Sequence, residues 1–597
     1  MKTYLMAIHI GPVQDFIAAA RKLRDLWFGS YLLSELSKQA AFSLRENKAD
    51  LIFPNPTDAA KDLSAGSNMK VANKLLAQVA TDDPRSLFEK VKGSILFFWE
   101  KKLVPETIKG SRDKIDGTLF KIQVKDFLEI YGAWVPLEDG GYIPARERVD
   151  LLLAARKSLR DFSPAQHLPD WKDKGGLPKS SLDGGRESVL LPGSNGKTKK
   201  KQGIKEHEEL DAVGWIKRHG KKLGDEEGGR PAFDSLSDLA ADPFLRGALK
   251  NPKAWTELEK LAGLFRRHIP KEDIPKIAPR YPGSALDSLG SNILFPSRIR
   301  IFLEEIETLE DNQEVKQEIL KCIRSVHNIM ETEPLQYAAV LIGDGDNMGD
   351  TISSLKDKKR HKDFSRALDE FARTADGVVE DHMGNLIYSG GDDVLAFVPL
   401  DQALECAQAL QQSFDKGMEK IFPAETERPT FSIGMAIVHH IRPMGLSLET
   451  ARKAEKLAKA NPGKNSLAIV LEKRSGAPIQ INQHWGPGLV DRLLYWANCH
   501  KEDLLPDKFA YQLKVLEREL GDELEWKGIE PENPQAYEFL RILSRKQSKG
   551  GSKPLEDKER DKVLEAASTL KSLEDMANEL IITRIFAQAK IQAGYKE

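Results

Sequence analysis

Tyr388-Ser389-Gly390-Gly391-Asp392-Asp393 stands between the apolar runs Asn385-Leu386-Ile387-Tyr388 and Val394-Leu395-Ala396-Phe397-Val398. Two glycines supply a tight turn and two strand-like segments flank it, so the stretch reads as a β-hairpin with paired carboxylates at its tip. An ordinary polar turn would have the same glycines and acids, so the surrounding sequence has to decide between that reading and a metal site.

Upstream, Tyr337-Ala338-Ala339-Val340-Leu341-Ile342 has the pattern of a buried strand. It runs into Gly343-Asp344-Gly345-Asp346-Asn347-Met348-Gly349-Asp350. A strand, a glycine-spaced acidic loop and then a helix can receive phosphate on backbone N–H groups and a hard cation on carboxylates. Elements alternate onward as strand 337–343, helix ~353–380, strands 385–389 and 393–398, helix 401–419, strand 431–438, helix 447–460 and strand 466–471. That is a βαββαβ core with an added helix and strand. In such a unit the first strand lies beside the hairpin, which brings Asp344 against Asp392 and Asp393. Like charges that close repel unless a cation joins them. Lys459, at the end of a helical stretch, and Lys464, in Asn461-Pro462-Gly463-Lys464-Asn465, are placed to neutralise a triphosphate.

The chain has 597 residues, a formal net charge of −2 and 40% hydrophobic content. It is long enough for several domains, and its overall charge points neither toward nor away from nucleic acid. Cys322, Cys406 and Cys499 are far apart, which argues against a disulfide framework and suits a reducing, cytoplasmic setting. No apolar run is long enough for a membrane span.

Residues 4–10 read as a first strand, followed by a long helix from about Val13 to Leu44 and a short strand at 51–53. Helices are expected over 68–79 and 86–102, strand-like runs within 119–135, and a helix over 146–160. Residues ~163–235 are rich in Gly, Ser, Pro and Lys and read as mostly loop. Helical periodicity returns over ~235–330 and again after ~480, with a loop near Gln547–Pro554. Gly193–Thr198 ends like a P-loop, but Leu191 stands where the first glycine belongs. The Lys199–Lys201 run reads equally as an RNA phosphate contact or a solvated loop.

The 337–475 unit resembles the palm shared by GGDEF-type nucleotide cyclases and polymerases. Asp344 and Asp392 match that family's metal-holding acids, and Ala458-Lys459 with Gly463-Lys464-Asn465 matches its phosphate-binding basic motif. Val394 departs from the phenylalanine of the GGDEF signature. The N-terminal run Ile10-Gly11-Pro12-Val13-Gln14-Asp15-Phe16, with Arg21-Lys22, Arg24-Asp25-Leu26-Trp27 and Gly29-Ser30-Tyr31, resembles the large subunit of type III CRISPR effector complexes, nearest to the Cmr (type III-B) branch. Further matches are Phe53-Pro54, Ala72-Asn73-Lys74, Arg156–Phe162, Ser432-Ile433-Gly434-Met435-Ala436 and Ala451-Arg452-Lys453-Ala454-Glu455.

That resemblance implies an α+β multidomain chain. It has two ferredoxin-like palm (βαββαβ) domains packed face to face, with helical middle and C-terminal domains. The boundaries expected are 1–162 for a palm without the Gly-Gly-Asp-Asp tip, 163–334 for a loop-rich then helical middle, 335–478 for the catalytic palm and 479–597 for the helical remainder. It implies an ATP-dependent nucleotidyltransferase that makes cyclic oligoadenylate when target RNA binds, in company with other Cmr subunits and CRISPR guide RNA. Two Mg²⁺ or Mn²⁺ ions would be held by Asp344, Asp392 and Asp393. Nucleotide would be bound by Gly345, Asp346, Asn347, Met348, Gly349, Ser389, Gly390, Gly391, Lys459 and Lys464, with backbone N–H groups of the 345–349 loop contributing. Many relatives carry a His-Asp nuclease domain, but no His-Asp dipeptide occurs here, so no DNase activity is expected. Ser181 and Asp183 stand where relatives have zinc-binding thiolates, so no zinc is expected. Three alternatives stay open: transfer of AMP to S-adenosylmethionine at the same site, a non-catalytic scaffold, and a stand-alone diguanylate cyclase.

Overall fold

The computed structural model describes residues 2–137, 141–159, 176–191, 196–223, 234–270, 274, 289–424, 428–520, 534–544 and 556–594. The Gly193–Asn195 part of the P-loop-like stretch, the end of the 156–162 match and the 547–554 loop fall outside these.

The first sheet is built from β1 (Lys2–Gly11), β2 (Asp50–Phe53), β3 (Lys74–Thr81) and β4 (Glu129–Pro136) in the order β2-β3-β1-β4. That is the antiparallel ferredoxin-like order, with α1 (Leu23–Glu46) and a helix over Pro84–Phe98 packed on one face. On the other face lies α2 (Tyr142–Ser158), which buries Ala145, Val149 and Leu153 against Leu5 and Ala7.

Three local expectations are corrected here. Residues 74–81 are a strand, not part of a helix: Leu75, Leu76 and Ala77 have good helical propensity, but pairing with β1 and β2 on either side overrides it. Residues 117–125 form a helix rather than a strand, started by Asp116, whose carboxylate accepts from the N–H groups of Thr118 and Leu119. The long helix expected from Val13 is broken after Ala18. There the buried Lys217 ammonium donates to the carbonyls of Phe16 (2.6 Å), Ile17 (3.4 Å) and Ala19 (2.5 Å), giving helix-end carbonyls a partner other than the next turn.

Within the segment read as loop, Ile204, Leu210, Trp215 and Ile216 are at most 2% exposed and complete the first core. A few well-spaced apolar residues suffice where overall composition is polar. Lys199 is buried, donating to the Glu206 carbonyl and paired with Glu209 at 2.7 Å, so it is not an open phosphate contact. Ser181 accepts from the Glu209 N–H, and Asp183 accepts from the N–H of Gly185 and pairs with Arg186.

In the chain between the two sheets, α3 (Leu236–Lys250) and a helix over Pro252–His268 pack with one over Gln313–Ile329. The second sheet has the order β10-β9-β8-β5-β7-β6, from β5 (Tyr337–Gly345), β6 (Asn385–Gly390), β7 (Asp393–Val398), β8 (Phe431–His439), β9 (Ser466–Leu471) and β10 (Ile479–His484). Its β8-β5-β7-β6 part repeats the ferredoxin-like order of the first sheet. β9 joins β8 in parallel after α4 (Met444–Lys459), and β10 adds an antiparallel edge. β10 corrects the expectation of a wholly helical remainder after residue 479. Only Ile481 of β10 is fully buried, and the short polar run Gln480, Asn482, Gln483 hides its alternation.

Alternate β5 residues face opposite cores, as the two-residue strand period requires. Ala339 and Leu341 pack under the helices over Lys358–Asp381 and Ala403–Glu419, in one core with the C-terminal helices. Ala338 and Val340 pack toward α3, α4 and the start of α1. On that second face Gly434 lets α4 approach directly: a Cβ there would stand 2.0 Å from the Glu455 nitrogen.

The two units are joined by polar contacts. Lys358 and Lys362 pair with Asp50, Asn55 donates to the Lys362 carbonyl (2.9 Å), and Arg146 donates to the Ile352 carbonyl (2.7 Å). The three cysteines are unpaired and buried, and no described helix is long and apolar enough to cross a membrane.

Candidate active site

The β6–β7 hairpin closes through Gly391 and Asp392, with Gly390 paired to Asp393. Gly391 has φ +70°, the positive angle that a type II′ two-residue turn needs at its first position. Gly390 is required for another reason: a Cβ there would stand 2.3 Å from the Tyr388 hydroxyl.

Asp344 lies on β5, in register with Ser432 of β8, and the preceding Gly343 pairs with Val394, one rung behind the closing pair of the hairpin. Gly345 then allows the tip to close on β5, because a Cβ would meet Met348 at 2.8 Å and the Asp392 Cβ at 2.9 Å. The outcome is that one carboxylate oxygen each of Asp344, Asp392 and Asp393 lie within 4.8 Å of one another, the only such grouping of three potential ligands among the described residues.

Crowding by protein holds the Asp392 and Asp393 carboxyls above the usual carboxylate range. For Asp393 the negative charges of Asp392 and Glu455 add to that effect, although the residue stays open to solvent. Glu455, on α4, was not singled out as a site residue from the sequence; helical spacing four residues before Lys459 was the available signal. Positive charge is already drawn to this spot. The Lys459 ammonium contacts the Asp344 carboxylate, lies 3.7 Å from Glu455 and donates to the Gly345 carbonyl at 3.4 Å. Three converging carboxylates with a cationic group docked on one of them fit a hard, oxygen-preferring divalent ion.

The remaining nucleotide candidates divide. Lys464 reaches the same edge, donating to Asn347 Oδ1 at 2.6 Å. Asn347 takes a left-handed conformation at the start of the Met348–Ser354 helix, with Gly349 exposed in its first turn. Met348 packs beside the large core. Ser389 is buried and donates to the Ala372 carbonyl (3.1 Å), so its hydroxyl is turned into the protein. Asp346 is fully buried, and its N–H, expected to face phosphate, donates to the Thr430 carbonyl (2.8 Å). Beside the hairpin a cleft opens between the two units, lined in part by Ser34, Asn68, Lys70, Asn73, Tyr388 and Gly390.

The chain thus has two ferredoxin-like units, the second with an acidic hairpin tip and two lysines at one sheet edge. Comparison with known proteins narrows the class. Residues 337–468 match the family described as Cas10/Cmr2, second palm domain, and residues 5–100 match CRISPR-associated protein Cmr2, N-terminal. The Cmr2 subunit of the Cmr CRISPR system of Pyrococcus furiosus is 26% identical, with 93% of this chain and 70% of that protein aligned. Two solved structures share the fold. The type III-B Cmr-beta complex bound to cognate target RNA aligns with TM-score 0.65 at 13% identity, over 99% of this chain and 83% of that one. Its apo state aligns with TM-score 0.63 at 13% identity, over 98% and 82%. The chain is thus similar to Cmr2 proteins in both its N-terminal and its second sheet-bearing unit.

Proposed function

We propose that this chain works in a type III-B CRISPR complex with other Cmr subunits, guide RNA and target RNA, and that its second palm transfers adenylyl groups from ATP to make cyclic oligoadenylate. The observation that carries the proposal is the convergence of Asp344, Asp392 and Asp393 with Lys459 at one sheet edge beside an inter-unit cleft. In the reaction a ribose hydroxyl of one nucleotide attacks the α-phosphorus of another. The bond from that phosphorus to the bridging oxygen breaks, pyrophosphate leaves and the hydroxyl proton passes to solvent.

Asp344, Asp392 and Asp393 would hold two Mg²⁺ or Mn²⁺ ions, which when bound supply acidification of the hydroxyl and charge neutralisation on the leaving group. Lys459 and Lys464 bind the triphosphate, and the cleft side of the hairpin receives the acceptor. Gly390 and Gly391 keep the tip free of side chains that would block that approach. No His-Asp dipeptide occurs in the 597 residues, and we propose no DNase centre in them.

The test is mass spectrometry of the products formed from ATP by the complex assembled with guide RNA, with and without target RNA. Oligoadenylates that depend on target RNA support the proposal. An AMP conjugate formed only when S-adenosylmethionine is added would replace the acceptor, and no product with any nucleotide would favour a scaffold.

A further inference from the structure

Asp346 is an unusual residue for a loop expected to face ligand. It is 0% exposed, and it has no cationic partner among the described ion pairs. Its Oδ2 atom accepts three hydrogen bonds, from Thr430 Oγ1 (2.8 Å), Ser432 Oγ (2.8 Å) and the Asn465 N–H (3.0 Å). The first two donors lie just before and within β8, and the third lies in the loop that carries Lys464. One buried oxygen therefore ties the end of β5, the start of β8 and the lysine loop together.

The lysine loop needs such an anchor. Lys464 and Asn465 both have positive φ, +56° and +44°. Consecutive non-glycine residues in that region are strained and persist only where their surroundings fix them. The fixing contacts are visible on both sides. Trp485, just past the end of β10, donates its N–H to the Asn465 carbonyl (2.8 Å), and His484 Nδ1, at the end of β10, lies beside the Lys464 carbonyl (2.9 Å). The Asp346 carboxylate holds the Asn465 N–H from beneath. With the loop so held, Lys464 extends to Asn347, next to the acidic tip.

We infer that Asp346 is a positioning residue: a buried acceptor that fixes the strained 464–465 loop and so sets Lys464 over the triphosphate. This rests on the nucleotidyl-transfer reading of the site, and it replaces the direct nucleotide contact expected from the sequence. An acceptor role and a ligand role separate by chemistry. In Asp346→Asn the amide oxygen can keep the three hydrogen bonds, with the NH₂ where Oδ1 stands, an atom that makes no hydrogen bond. Asp346→Ala leaves three donors unmet, a loss that corresponds to about tenfold or more in a binding constant.

The experiment uses the assembled complex and reads KM for ATP, kcat and amide hydrogen exchange over residues 464–466. For Asp346→Ala we expect KM raised about tenfold with kcat changed less, and faster exchange at Asn465. For Asp346→Asn we expect KM within about threefold of wild type. Combined with Lys464→Ala, Asp346→Ala should add little further, because both act through one group. Thr430→Ala removes a single donor to Asp346 and is expected to shift KM the same way by a smaller factor, which covers an Asp346→Ala protein that fails to fold. Equal damage from Asn and Ala, full additivity with Lys464→Ala, or unchanged exchange at Asn465 each overturns the inference. If no variant, nor wild type, turns over ATP while exchange at Asn465 still rises in Asp346→Ala, the nucleotidyl-transfer reading and the Lys464 role fall, and the anchoring of the loop stands.

Discussion

The Lys459 ammonium rests on the Asp344 carboxylate, joining the end of α4 to the end of β5 across the mouth of the acidic cluster. Burial and the neighbouring Lys464 push the Lys459 ammonium down from its ordinary range. The lysine therefore competes with a divalent ion for Asp344 while offering charge to phosphate. Lys459→Ala is expected to raise KM for ATP about tenfold and to leave Mn²⁺ affinity unchanged or tighter. Titration calorimetry with Mn²⁺ alone, beside steady-state kinetics, checks both parts; weaker Mn²⁺ binding would show that the lysine supports the metal site instead of competing for it.

Gly345 separates β5 from the hairpin tip. Alanine there would place its Cβ 2.9 Å from the Asp392 Cβ, and the flexible Met348 on the other side can yield while the tip must shift. Because a displacement of about 1 Å in a reacting constellation costs on the order of a hundredfold in rate, Gly345→Ala should lower kcat by about that factor. Its melting temperature should stay close to wild type. A variant with unchanged kcat would mean that the spacing of Asp392 from β5 does not govern the chemistry.

A buried ion network joins the first sheet's helix to the segment after it. Arg218 pairs with Asp25 and with Glu208, each at 2.8 Å, and all three are at most 2% exposed. Burial alone would raise both carboxyls, but the Arg218 guanidinium outweighs it and holds both below their usual range. Folded values below unfolded ones mean stability that is present above about pH 4 and lost as pH falls through the folded values. Arg218→Met should cost about 3–5 kcal/mol at pH 7, since it strands two buried charges. With the guanidinium gone, only Lys22, Lys217 and the Lys205 N–H still oppose burial, so the sign is expected to reverse and this variant to gain stability as pH falls from 7 to about 5 while wild type does not. Thermal melts across that range decide the matter, and parallel curves for the two proteins would show that the network does not set the acid response.

Much of this architecture is legible in the chain because local pattern and tertiary demand agree. The hairpin could be read from two glycines between strand-like runs. The neighbourhood of Asp344 followed from the strand order that a βαββ unit imposes. Legibility failed where a distant partner decides. Residues 74–81 are strand because β1 and β2 flank them, and the break after Ala18 coincides with Lys217 arriving from two hundred residues away. At the site, residue type alone could not distinguish a carboxylate aimed at ligand from one aimed inward. Asp344 and Asp346 sit two apart in the same motif, yet one joins the acidic cluster and the other is sealed under Thr430, Ser432 and Asn465. Ser389 has the same explanation, its hydroxyl taken by the Ala372 carbonyl.

The most direct measurement is product formation from ATP by the complex carrying Asp392→Ala with Asp393→Ala, assembled with guide RNA and target RNA and compared with wild type by mass spectrometry. Removing two of three clustered carboxylates is expected to reduce oligoadenylate by at least about a hundredfold while the complex still assembles and binds target RNA. Wild-type product levels from that double variant would contradict the assignment of the hairpin tip as the active site.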